Sequence, residues 1–76
     1  MKVVETRSHS RYVIDEQLKQ FLRVPGVDAN DVAFDGKPVN YDEILVLRVG
    51  LPMEILWDDH SKIRRSTTVV SIQEMI

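Results

Sequence analysis

From Ile14 to Arg23 the apolar positions fall into one helical register. Ile14, Leu18, Phe21 and Leu22 recur at the i, i+4, i+7, i+8 spacing of a single helix face. Asp15 stands where an N-cap belongs, because its carboxylate can accept from the free amides of a first turn. Glu16 and Arg23 then lie at the ends that suit their charges. Val24-Pro25-Gly26 stops the pattern. The spacing predicts one amphipathic helix over about residues 15–24. Each large side chain on its face, if fully buried, contributes roughly 1.5–3 kcal/mol, so Phe21→Asp is expected to unfold the protein.

Nearly everything else patterns as strand. Lys2–Thr6 is short and β-branched. Arg7 to Arg11 is a polar loop, and Tyr12-Val13-Ile14 runs extended into the helix. Val32-Ala33-Phe34 reads as a short strand, followed by Asp35-Gly36, a strong signal for a tight turn. Lys37 to Asn40 continues that connection, since Pro38 cannot donate to a ladder. Glu43–Val49 is apolar on both faces, as a central strand would be. Gly50-Leu51-Pro52 breaks it. Met53–Trp57 places Met53, Ile55 and Trp57 on one face, Asp58 to Lys62 is a hairpin loop, and Ile63–Ile72 is a final strand. The expected order is β-α-β-β-β-β. The expected fold is α+β: one helix packed on a mostly antiparallel sheet of four or five strands, in a single compact domain over residues 1–76.

Composition narrows this picture only a little. At 43% apolar and 29% charged residues, the 76-residue chain is ordinary for a globular domain. It has no cysteine, so it can form neither a disulfide nor a thiolate metal site. Neither the opening Met-Lys-Val-Val-Glu-Thr-Arg nor any later stretch approaches a signal peptide or the ~20 apolar residues of a membrane span. A cytoplasmic location is expected on that basis.

Charge is more informative in its distribution than in its net value of −2. Residues 1–24 balance to +2, residues 25–59 to −6 and residues 60–76 to +2. Turn chemistry alone collects aspartates between strands. The functional alternative is an acidic face that meets a basic partner. Its candidate residues are Asp28, Asp31, Asp35 and Asp42, beside an exposed sheet edge that can accept a partner strand.

The chain contains no catalytic, metal or nucleotide motif. Its three glycines are isolated, and a phosphate-cradling loop needs them clustered. The run Asp28-Ala29-Asn30-Asp31 lacks the turn glycine and terminal glutamate of a calcium loop. Asp58-Asp59-His60 is a carboxylate–imidazole cluster, but consecutive residues on a strand point to opposite faces, and a solvated loop accounts for it. Ser61 beside His60 is no nucleophile–base pair by adjacency. No metal or cofactor is expected.

Three functional expectations follow. The first is a non-enzymatic protein-protein interaction module, a small regulator or inhibitor. Small acidic cysteine-free chains of this kind occur among virus-encoded accessory proteins that inhibit a host enzyme, an analogy of composition alone. The second is a nucleic-acid-binding module. Here Lys62, Arg64, Arg65 and Arg11 would contact phosphates, with Arg7 as a neighbour and Trp57 or Tyr12 stacking on a base. Against it, Lys62–Arg65 also suits a solvated hairpin flank, and Trp57 suits the core. The third is a homodimeric enzyme or ligand-binding subunit with an interfacial site at His60 or His9.

Overall fold

The computed structural model describes residues 1–27, 29 and 35–75. Six strands follow one another in chain order: β1 (Lys2–Thr6), β2 (Arg11–Asp15), β3 (Gln20–Val24), β4 (Val39–Val46), β5 (Pro52–Trp57) and β6 (Lys62–Glu74). Every neighbouring pair is antiparallel, and β6 returns to pair with β1, closing a barrel. The α+β expectation is therefore wrong. The chain is all-β, and among the described residues there is no helix.

The expected helix over 15–24 is a hairpin. Ile14 and Phe21, seven residues apart, are also directly opposed across β2 and β3, flanked by the pairs Tyr12↔Arg23 and Asp15↔Gln20. Tyr12, Ile14, Phe21 and Arg23 point inward and are buried, at the strand period of two. Leu18, the centre of the supposed helix face, lies at the turn and is 66% exposed. The capping chemistry assigned to Asp15 does occur, in a different structure. Its Oδ1 accepts from the amides of Gln17 and Leu18, at 3.0 and 3.1 Å, and so closes a turn. Lys19 completes that turn with φ 51°. Ten residues are too few for a stable isolated helix, and the aromatic and β-branched flanks of this segment favour strands.

Other boundaries shift with it. β4 begins at Val39, immediately after Pro38, and register shifts at Tyr41/Glu43 and Ile44/Val46 break its alternation. Of the expected strand Glu43–Val49, only residues 43–46 are strand, the bulged end of β4, and residues 47–49 lead into the turn. β6 is the longest strand at 13 residues. Its first half pairs with β5 and its second with β1, and a register shift between Glu5 and Thr6 lets it coil from one to the other. The expected strand Val32–Phe34 lies outside the described residues. Closure also removes the free sheet edge expected for a partner strand.

The core consists of Val4, Tyr12, Ile14, Phe21, Tyr41, Met53, Ile55 and Val69, with Val39, Ile44, Leu47, Trp57 and Ile72 packed around it. Three rings form its spine. Phe21 lies between Tyr12 and Tyr41, with centroids 6.3 and 6.5 Å away and tilted planes. Among the described residues no helix is long and apolar enough to cross a membrane.

Candidate functional site

At one end of the barrel the strands leave an open cleft of about 640 Å³. The ends of β1, β2 and β3 supply Thr6, Tyr12 and Arg23, the β1–β2 turn supplies Ser8 and Ser10, and the start of β6 supplies Lys62 to Thr67, with Trp57 from β5. Its described lining residues include Arg23, Lys62, Arg64 and Arg65, an indole, several hydroxyls and no carboxylate, though Arg65 stands opposite Glu54 on the outer face of the strand.

Strand periodicity explains how Arg23 reaches the interior. It lies two residues beyond Phe21 on the inward face, at the barrel mouth. A buried guanidinium needs a partner, and Arg23 donates from Nη1 to Asp35 Oδ2 at 2.6 Å. The two side chains are only 9% and 13% exposed. Arg23 also donates to Ser10 Oγ at 3.4 Å. The amide of Gly26 donates to the same hydroxyl at 3.2 Å. Gly26 lies so close to the β1–β2 turn that a Cβ there would meet His9 C and Ser8 O at 2.5 Å.

Arg64 lies deeper than the other β6 cations. Its guanidinium carbon is 5.6 Å from the centroids of both Phe21 and Trp57. Like that of Arg23, its charge acts on the Tyr12 hydroxyl. Burial raises the Tyr12 pKa above 10.0, and the charges of Arg23 and Arg64 oppose that rise without cancelling it. Lys62 Nζ lies 5.2 Å from the Trp57 ring centroid and 3.5 Å from Asp58 Oδ2. Arg65 pairs with Glu54 at 3.3 Å. Both of these are surface contacts, worth on the order of 1 kcal/mol or less. The hydroxyls form a small network centred on Ser8, whose Oγ is 3.2 Å from Thr6 Oγ1, 3.3 Å from Ser10 Oγ and 3.2 Å from Thr67 Oγ1.

The residues expected at the two candidate surfaces fare differently. Asp28 and Asp31 lie outside the described residues. Asp35 and Asp42 are engaged within the fold. Asp35 neutralises Arg23. Asp42 Oδ2 accepts from the His60 amide at 2.8 Å, and its carbonyl accepts from Lys19 Nζ at 3.4 Å. By contrast, Lys62 and Arg64 come together in the cleft with Trp57 and Tyr12, while Arg65 pairs with Glu54 on the outer face. Arg11 is exposed at the start of β2 and does not line it.

His9 and His60 sit in different turns, each at φ 64°. His60 Nδ1 is 3.9 Å from Asp42 Oδ2 and 4.0 Å from Asp59 Oδ1. Ser61 Oγ donates to the Asp58 carbonyl at 2.6 Å, not to an imidazole. Among the described residues no group of three or more histidine, aspartate and glutamate side chains is placed to hold a metal. Sequence reasoning missed Arg23, Thr6, Ser8, Ser10 and Thr67. Arg23 was discoverable from its period-two spacing to Phe21, once the segment was read as a strand. The hydroxyls carry no pattern of their own.

Comparison of the chain with protein-family models, with curated proteins and with solved structures returns no match.

Proposed function

We propose that this chain is a non-enzymatic binding module whose cleft holds a phosphate-rich anionic ligand. One observation supports this above the others: Lys62 and Arg64, on the inward face of β6, stand together at a concave surface beside the hydroxyls of Ser8 and Thr67. Asp35 and Glu54 neutralise Arg23 and Arg65, so the attraction for an incoming anion rests on Arg64 and on Lys62, whose pair with Asp58 is a surface contact. The overall charge of −2 restricts that attraction to the cleft.

The test is a titration with inorganic polyphosphate at low ionic strength. The single tryptophan, Trp57, lies in the cleft and reports occupancy by its fluorescence. Saturable binding that weakens with salt is expected, with a log–log slope of magnitude about 2 if roughly three phosphates are neutralised at about 0.7 each. Lys62→Met combined with Arg64→Met should weaken it further. Absence of binding to polyphosphate and to every oligonucleotide tried would dispose of the proposal.

A second reading, a regulator or inhibitor that docks on a protein, draws support from Val49, Leu51 and Val70, which are exposed apolar residues. Hydrogen bonds from Gly50 N to Val69 O and from Val69 N to Leu51 O bring their backbones together on one side of the barrel. It predicts one protein captured from lysate after nuclease treatment and lost on Val49→Ser with Leu51→Ser. Capture indifferent to both changes would count against it.

A further inference from the structure

We infer that the ligand of the cleft is single-stranded nucleic acid, with one base stacked on Trp57 and the neighbouring phosphates held by Lys62 and Arg64. This rests on the cleft reading above and narrows it. Charge alone would serve any polyanion, so the narrowing comes from the other two components of the lining.

The first is the indole. Trp57 is only partly buried, packs against the core along its inner side and lines the cleft. Lys62 reaches it from an exposed, flexible side chain, with Nζ 5.2 Å from the ring centroid. That contact is weaker than the stacking of a base on an aromatic ring. An incoming strand can therefore exchange the two: the ammonium moves from the ring to a phosphate, and the base takes its place. Arg64, less exposed than Lys62 and 5.6 Å from the rings of both Trp57 and Phe21, stays as the second cation. A polyanion without bases gains nothing from an indole, and a duplex conceals the faces of its bases.

The second component is the accessible part of the hydroxyl network, Ser8 and Thr67, with Thr6 and Ser10 buried behind them. Hydroxyls both donate and accept. They suit the mixed donor and acceptor groups of sugars and base edges, where a site for phosphate alone would need donors only.

The experiment uses the full chain at low salt and three fluorescently labelled probes followed by anisotropy. These are a thymidine oligonucleotide of about ten residues, an abasic deoxyribose-phosphate strand of equal length, and a duplex. The thymidine strand is expected to bind roughly 5- to 100-fold more tightly than the abasic one, the ratio one stacked base supplies. It should also bind more tightly than the duplex and quench Trp57. Trp57→Leu should abolish the thymidine preference while leaving abasic binding in place, and Lys62→Met should weaken both single strands. If Trp57→Leu fails to melt cooperatively, the abasic comparison on the native chain decides alone. Equal binding of thymidine and abasic strands overturns the stacking inference and leaves the anion-binding cleft standing, as does a duplex that binds as tightly as the single strand. No binding to any of the three, nor to polyphosphate, overturns both.

Discussion

Truncating Leu18 and Phe21 to alanine separates the barrel from a helix packed on a sheet. On a helix the two residues share one buried face, and both truncations would be severe. In the barrel they differ sharply. Phe21 is 2% exposed and stands between the rings of Tyr12 and Tyr41. Its side chain is also covered by the guanidinium of Arg64. Phe→Ala at such a site removes the transfer energy of the ring and leaves a cavity, about 3–5 kcal/mol in total. A chain of 76 residues has a total stability of about 4–11 kcal/mol. Phe21→Ala is therefore expected to lower the melting temperature by more than about 10 °C, or to unfold the chain. Leu18 projects from the β2–β3 turn and should cost no more than about 0.5 kcal/mol. Urea denaturation followed by Trp57 fluorescence measures both. A loss above about 2 kcal/mol for Leu18→Ala, or a near-native midpoint for Phe21→Ala, would refute the hairpin.

Three further outcomes are expected. Asp35→Ala should destabilise the fold by about 3–5 kcal/mol in chemical denaturation, because it strands the buried Arg23 guanidinium; a loss below about 1 kcal/mol would show that water reaches that pair. Gly26→Ala should cost about 1–3 kcal/mol by the same assay, since its Cβ would overlap the backbone of Ser8 and His9 and no side chain can move aside; an unchanged midpoint would contradict the close approach. Burial raises the pKa of both tyrosines, Tyr12 and Tyr41, above 10.0, with Glu16 and Asp15 adding to the rise at Tyr41. The phenols keep their protons longer in the folded chain, so their contribution to stability is complete below pH 10 and is lost as pH rises through the folded values. Absorbance at the phenolate band should show both ionising above 10.0, and a midpoint at or below 10.0 for either would refute the burial.

Much of the strand content was legible, and the one element read with most detail was not. Ile14 and Phe21 satisfy two geometries at once: seven residues is two helical turns, and it is also the separation of a directly opposed pair across a short hairpin. Asp15 deepened the ambiguity, because a carboxylate that accepts from amides two and three residues ahead does so at a helix start and in a strand turn alike. What would have decided it is the buried polar residue. Arg23 alternates inward with Phe21, and Tyr12 with Ile14, a period-two pattern running through both arms. Barrel closure was not legible, because it depends on β6 switching partners at a register shift between residues 5 and 6, to which no local pattern corresponds.

Closure also redistributes the functional weight of the charges. Two aspartates counted toward an acidic docking face, Asp35 and Asp42, are engaged in holding Arg23 and the β5–β6 turn. Reversing the charge of Asp35 would therefore disrupt the fold before it tested a surface. The basic segment moves the other way. As a hairpin flank, Lys62 to Arg65 would be a row of solvated charges. Curved into the mouth of a barrel, its inward residues Lys62 and Arg64 face Tyr12, Arg23 and the hydroxyls of the β1–β2 end, some 40 to 60 residues away in sequence. The same residues that are unremarkable along the chain thus become a site only through the long β6 strand. A register slip there would put Arg64 on the outer face, because neighbouring strand positions alternate sides. Fold and candidate site consequently share one determinant, the pairing of β6 with β5 on one side and β1 on the other.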